Sequence, residues 1–560
     1  MERTNMKQTD STGLKLIEIT LPDLLLAQAH ARPSATAIDS YDGRLSYGEL
    51  WEEVDKTTRQ LREMGIRPGN RVGLCSQLSS RAVISILAIM TIGGSVIPVD
   101  PLHPVARRLT MLREAGVFTI LLDDNDEDVS WTKPDFQALA FSKLAVGNKG
   151  CLYKSQAPLG QPHDIAFVAF TSGSTGKPKG ICQTHQGIAT MSIALAERLH
   201  VTSSSRVAQF HPYIFDVSMM EICICLATGA TLCIAKRKDM MLPGPKEVGE
   251  QLTAYGITHV TLSPTMLNTM EPDDVPTLQV LSVMGEPLGQ RAIQKWAHRS
   301  APLFYQLWGC TEGTILQSIT SAISSSQDPQ NVGKAIQGAC RLWITDPTNV
   351  DCLIEDGAPG ELIVESRVLA TGYLGRHEET ERAFLSTVPW KLSGSMASFY
   401  RTGDLAQKHA DGSITFLGRL DGQMNYHGER IELGEIDYYL NQLLPGHIYD
   451  CFSDFDASTQ TVVGFFAGGR TRMHSSNAST CLMKWDESAV SKSCLIALTA
   501  KISANGDLPD YMVPHIWLPI RSRPLTISGK TDRASLRRLI EKLSPAQWRE
   551  YSVQFEHNGI

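Results

Sequence analysis

Several absences narrow the class of this chain before any motif is considered. Its 12 cysteines contain no C-x-x-C pair and no regular framework. Neither a disulfide scaffold nor a zinc site is predicted, and the thiols are read as reduced ones in a cytoplasmic protein. There is no strong excess of charge: a net −7 is spread along 560 residues without a basic stripe, which argues against nucleic acid as the main partner. Residues 1–13 are polar and lack the apolar core of a secretory leader. Residues 82–99 are uncharged and long enough to span a bilayer, but Gly93-Gly94 and Pro98 divide them into a helix, a turn and a strand. No membrane partner is therefore expected, and no internal repeats are visible.

What remains is an ordinary globular composition, 42% hydrophobic and 20% charged, in a chain too long for a single core. Helical spacing over 20–33, 46–65 and 81–92, and again from 105, alternates with strands at 71–75, 95–99 and 118–122. Further strands follow at 231–235, 260–262 and 280–283. This alternation predicts parallel α/β layers. Between about 335 and 420, short strands at 341–344, 360–364 and 413–417 are separated by turns, as in an antiparallel or barrel-like subdomain. A small α/β segment follows, with a helix near 434–443, a strand at 461–466 and a last helix near 532–543.

The fold class is thus α/β: a large N-terminal domain of layered α/β subdomains plus a barrel-like β subdomain, and a small mobile α/β C-terminal domain. The expected boundaries are a polar extension at 1–16, the large domain at 17–421, the small domain at 422–545 and a tail at 546–560. Residues 468–480 read as a surface loop or insertion, and the sequon at Asn477 as fortuitous.

One stretch has the composition of a phosphate-gripping loop. After the apolar strand 164–170 come Thr171, Ser172, Gly173, Ser174, Thr175, Gly176, Lys177, Pro178, Lys179 and Gly180, leading to a helical pattern at His185. Glycines allow backbone N–H groups to turn toward an anion, and hydroxyls and lysines add donors and charge. It is not a Walker loop, because Pro178 follows Lys177. A flexible surface loop is the alternative. Three further stretches carry chemistry-bearing residues: Trp308-Gly309-Cys310-Thr311-Glu312, an acid directly after a tight turn; Tyr400-Arg401-Thr402-Gly403-Asp404, read as a strand ending in an exposed carboxylate; and Ser528-Gly529-Lys530, a lysine on a turn before the last helix. Each alone could be a solvated turn.

Together and in this order they resemble the superfamily of adenylate-forming enzymes: acyl- and aryl-CoA ligases, luciferases and peptide-synthetase adenylation domains. The likeness runs from about Leu45 to Leu536. Residues 45–50, 97–101, 215–218, 430–436 and 508–514 bring it closest to nonribosomal peptide synthetase domains that activate amino acids. The resemblance implies attack of a carboxylate on the α-phosphate of ATP, giving an acyl-adenylate and pyrophosphate, followed by attack of a thiol.

It further implies that Lys530 bridges carboxylate and α-phosphate, and that Glu312 holds Mg²⁺. Thr171, Ser172, Gly173, Ser174, Thr175, Gly176 and Lys177 would grip the pyrophosphate end. Asp404 would accept the ribose hydroxyls with Arg419 beside it, and Trp308 would stack on adenine. Gly285, Glu286, Gly309 and Thr311 complete the implied nucleotide site, and Asp421 matches the hinge on which the small domain turns.

By the same resemblance Asp216 pairs with a substrate α-ammonium group. Val217, Met220, Thr261, Ser282, Met284, Leu307, Ile315 and Leu316 surround the substrate side chain. That wall is mostly apolar, with two hydroxyls and no charge, so the amino acid is expected to be uncharged and largely hydrophobic.

Two departures bear on the second step. Met424-Asn425-Tyr426-His427-Gly428 stands where relatives carry two basic residues, and no phosphopantetheine attachment motif follows Lys530. The expected partner is a phosphopantetheinylated carrier protein, in trans or in a longer parent chain. A CoA ligase or amide-forming ligase, and a catalytically silent nucleotide-binding scaffold, are the alternatives.

Overall fold

The computed structural model describes residues 7–123, 130–145, 158–172, 178–236, 245–286, 288–297 and 302–420. Beyond these it describes 423–426, 429–443, 449–456, 461–468, 482, 499, 501–502, 508–514, 516–521, 523–524, 533–544, 546–548 and 553–554. Gly173 to Lys177, Asp421, His427, the sequon at Asn477 and Lys530 lie outside the described residues. The chain divides into two compact units, 1–101 with 111–170 and 180–420, and 102–110 with 171–179 and 421–560.

The larger unit holds two extended sheets. One orders its strands Lys179–Thr184, Ile165–Thr171, Ser95–Val99, Arg71–Cys75, Thr119–Leu122 and Gln137–Ala140, and its registered pairs from Ile165–Thr171 onward are parallel. In the other, Leu303–Trp308, Val280–Val283, His259–Leu262, Arg206–Ala208, Thr231–Ile234 and Thr36–Ser40 lie side by side in parallel. The same path continues through Ser318–Ile319 and Asn331–Ala335 into an antiparallel region at Cys340–Asp346, Pro359–Ser366, Ser398–Lys408 and Ile414–Arg419. The strand direction changes at Trp308, where the chemistry-bearing turn leaves the sheet and Ser318 returns to pair with it.

Helices cover these sheets through apolar faces. Tyr47–Glu63 opens on a capping box, in which Ser46 accepts from the Glu49 amide and Glu49 returns a bond to the Ser46 amide. Val217–Thr228 is buried along most of its length, as its nearly all-apolar sequence requires, and ends on the left-handed Gly229. The two are tied together: the fully buried Tyr47 places its hydroxyl 2.8 Å from the Cys225 carbonyl and 2.7 Å from that of Ala230.

One element departs from the sequence reading. The stretch expected to run as a loop up to His185 contains the strand Lys179–Thr184, with all six residues buried. Lys179 and Gly180 weaken its strand propensity, and buried pairing in the sheet overrides that weakness. All nine described cysteines are free thiols, and no described helix is long and apolar enough to cross a membrane.

In the second unit, Tyr449–Asp456, Thr461–Gly468, Ile516–Ile520 and Val553–Gln554 form a four-stranded mixed sheet. Leu433–Leu443 and Arg533–Glu541 are its main described helices. Buried carboxylates here meet guanidinium groups: Asp437 is 2.9 Å from Arg533, and Asp454 is 3.1 Å from Arg537.

Tyr47→Phe removes the hydroxyl donor from both carbonyls, of which that of Cys225 keeps the Gly229 amide at 2.8 Å, and should lower stability by about 1 kcal/mol. An unchanged urea midpoint would show that these carbonyls find other partners.

Candidate functional site

The site is built around the turn that joins Leu303–Trp308 to Ser318–Ile319. The two arms of this turn press together at Gly309, where a Cβ would come within 2.5 Å of the Ile315 carbonyl oxygen and the Leu316 Cα. Glycine is therefore required there. Thr314 and Ile315 both take φ near 69°, a left-handed conformation that costs a β-branched residue about 1–3 kcal/mol. Surrounding bonds hold it. Thr314 Oγ1 donates to the Val368 carbonyl at 2.5 Å, Gln317 Oε1 accepts from the Cys310 amide at 2.8 Å, and the Gln317 amide donates to the Trp308 carbonyl at 2.9 Å.

This strained turn presents the Ile315 amide to Asp216 Oδ2 at 3.2 Å. Asp216 stands at the head of Val217–Thr228 without capping it by its side chain, and it is 6% exposed. It also accepts from Gln183 Nε2, 2.6 Å from Oδ2, and the same nitrogen donates to the Thr311 carbonyl at 2.9 Å. Both donors are neutral, and among the described residues no cation pairs with Asp216. Burial pushes its carboxyl above the ordinary 3.8, the Gln183 and Ile315 donors oppose that, and the Glu312 charge adds to the rise.

Elsewhere in the same unit, buried acids meet arginine. Glu361 is 2.6 Å from Arg401, and Glu365 is 3.2 Å from Arg341. Asp404, expected as an exposed carboxylate ending a strand, instead lies inside Ser398–Lys408 at 4% exposure. The chain continues through it because Gly403 takes φ of 71° and the ladder shifts register just beyond. Asp404 faces Arg419 on the neighbouring strand, and Arg419 Nη1 donates to Oδ1 at 2.5 Å and to the Thr402 carbonyl at 2.8 Å.

Glu312 is fully buried and accepts from the Tyr373 hydroxyl at 3.0 Å, with the Tyr400 hydroxyl 3.3 Å from that of Tyr373. Trp308 is half-buried at the end of its strand. Gly285 takes φ of 86° in open space, while Glu286 accepts from the Thr265 amide and hydroxyl at 2.9 and 2.6 Å. In the second unit, Ser172 accepts from the Glu432 amide at 3.0 Å, and Thr171 Oγ1 is buried with no hydrogen-bond partner.

The expected wall residues Val217, Met220, Leu307, Ile315 and Leu316 share one hydrophobic cluster, with Met284 packed against it. Met220, Thr261 and Ser282 line a common cleft. The Thr261 and Ser282 hydroxyls are 2.8 Å apart across adjacent parallel strands. Sequence reasoning missed Gln183 and Tyr373. No signal marked Tyr373, and recognising Lys179–Thr184 as a strand would have placed Gln183 in the interior.

This arrangement has relatives. A model described as AMP-binding enzyme matches residues 25–374, and the chain belongs to that family, whose members are adenylate-forming ligases. Over 550 residues, 96% of the chain, it is 31% identical to the nonribosomal peptide synthetase vlms of Lecanicillium sp, and it spans 6% of that synthetase's length. It is 30% identical over 95% of its length to the nonribosomal peptide synthetase rstn8 of Penicillium ochrochloron, spanning 26% of it. Its fold is similar to that of holo-PA1221, an NRPS protein containing adenylation and PCP domains bound to a vinylsulfonamide inhibitor. The TM-score is 0.75 at 23% identity, covering 93% of this chain and 84% of that one.

A carboxyl that folding raises costs nothing while protonated. It destabilises progressively as pH climbs from the ordinary value through the folded one, by about 1.4 kcal/mol for each unit of elevation. Asp216→Asn keeps the acceptor oxygen and removes the charge. Its melting temperature should gain on the wild type as pH rises above the ordinary carboxyl range, and a difference that stays constant with pH would contradict the burial of an unpaired carboxylate.

Proposed function

We propose that this chain activates an amino acid as its acyl-adenylate, using ATP and releasing pyrophosphate. The observation that carries this reading is Asp216: a buried carboxylate whose hydrogen-bond donors are neutral, at the head of a nearly all-apolar helix. An uncompensated buried charge calls for a cation, and the α-ammonium group of an amino acid would bring one. The apolar wall suits an uncharged, largely hydrophobic side chain, and the Thr261–Ser282 hydroxyl pair offers it one polar point.

In this reading Asp404, oriented by Arg419, accepts the two ribose hydroxyls of the nucleotide, and Trp308 stacks on its base. Gly285 leaves room for close backbone approach, Gly309 lets the turn close tightly on itself, and Thr311 and Glu286 support the adjoining turns. Thr171 and Ser172, with residues 173–177, hold the pyrophosphate end. The partnerless Thr171 hydroxyl suits a phosphate oxygen. Glu312, a buried acid that accepts from the Tyr373 hydroxyl, is the carboxylate that would hold a hard cation needing only one or two carboxylates. Mg²⁺ held there would neutralise charge on the phosphate oxygens. Lys530 stabilises the charge that develops at the α-phosphate, and Asp421 is the hinge that brings it in.

The acceptor in this reading is the phosphopantetheine thiol of a carrier protein, as suits a chain similar to peptide synthetases. The loss of basic residues at Met424-Asn425-Tyr426 favours, as a second reading, an amine or another acceptor for the same adenylate.

A pyrophosphate-exchange screen should show activity with one or a few uncharged amino acids and none with acids lacking the amine. Lys530→Ala should lower exchange by about 10²-fold or more. Undiminished exchange in that variant, or exchange driven equally by amine-free acids, would overturn the assignment.

A further inference from the structure

Gln183 has a side chain whose hydrogen bonding is half complete. It is fully buried on the strand Lys179–Thr184. Its amide nitrogen lies between two acceptors, Asp216 Oδ2 at 2.6 Å and the Thr311 carbonyl at 2.9 Å. Because both neighbours accept, the NH₂ end must face them, and the orientation of the amide is fixed by chemistry. Its carbonyl oxygen Oε1 is therefore turned elsewhere within the interior, and it has no hydrogen-bond partner. Buried amide oxygens are ordinarily satisfied.

The position of this unsatisfied oxygen matters. It belongs to the same amide group that touches Asp216, which keeps it within one amide's width of that carboxylate. Asp216 Oδ2 already accepts from Gln183 and Ile315, which leaves the other carboxylate oxygen to take a new donor. The missing complement is a small group with at least two N–H donors and a positive charge.

We propose that Gln183 is a specificity-determining residue of the amino-acid site: its amide nitrogen orients Asp216, and Oε1 is the second acceptor for the substrate α-ammonium group. This rests on the amino-acid reading given above. The ammonium group donates one N–H to Asp216 and one to Gln183. A 2-hydroxy acid of the same skeleton brings one donor and no charge, so it cannot satisfy both oxygens. A site built to bind a donor rejects the analogue that lacks it, because its own polar atoms are then left unpaired. Asp216 supplies the charge recognition and Gln183 supplies the count of donors.

The test uses the whole chain and two probes: the L-amino acid giving the fastest wild-type pyrophosphate exchange, and its 2-hydroxy counterpart. Gln183→Leu and the equally long Gln183→Met both remove the amide. In whichever folds with a wild-type melting profile, the preference in kcat/KM for the amino acid over the hydroxy acid should fall about tenfold or more. The fall should arise in the KM for the amino acid, with the KM for ATP unchanged. An unchanged preference, or equal rises in both KM values, overturns the inference and leaves Gln183 a structural amide. If Asp216→Ala loses the preference while both Gln183 variants keep it, this inference alone fails. A wild type inert toward every amino acid removes the underlying reading, and this one with it.

Discussion

The rest of the site depends on a buried carboxylate whose hydrogen-bond donors are all neutral. Asp216 joins three pieces of chain distant in sequence: the strand that carries Gln183, the head of Val217–Thr228, and the turn at Thr314 and Ile315. Each makes a concession to that carboxylate. The turn holds two β-branched residues in a left-handed conformation, the strand buries an amide with one end unsatisfied, and the helix begins without a side-chain cap. Strain and unsatisfied groups gathered at one place mark a site shaped for a ligand rather than for stability alone.

The contrast with neighbouring acids sharpens this. Glu361, Glu365 and Asp404 are as deeply buried, and each has an arginine within reach. Their charges are settled within the fold by those arginines. The charge on Asp216 is left for a ligand to settle. In the proposed reading Asp404 and Asp216 therefore divide the work: one presents an already paired acceptor to a sugar, and the other demands a cation from the molecule to be activated.

Much of this was legible in the sequence, and the limits are physical. The α/β alternation was clear because strands such as Arg71–Cys75 and Val280–Val283 are buried apolar runs bounded by turns. Asp216 was singled out by the resemblance that residues 215–218 carry, and no local pattern marks it. Lys179–Thr184 was hidden because its pairing in the sheet, not its composition, makes it a strand, and Gln183 was hidden with it. The burial of Asp404 depends on a left-handed glycine and a register shift, which no pattern of residue types announces. The turn at Thr314 and Ile315 was invisible for the opposite reason: local preference argues against it, and only the surrounding bonds impose it.

The central claim, that Asp216 selects the substrate by its ammonium group, is tested most directly by a thermodynamic cycle. The four corners are kcat/KM for an activated amino acid and for its deamino counterpart, each measured with the wild type and with Asp216→Ala. The expected result is a wild-type preference for the amino acid of about 10²-fold or more that shrinks to a few-fold in the variant. A preference that survives the loss of Asp216 undiminished would contradict the account.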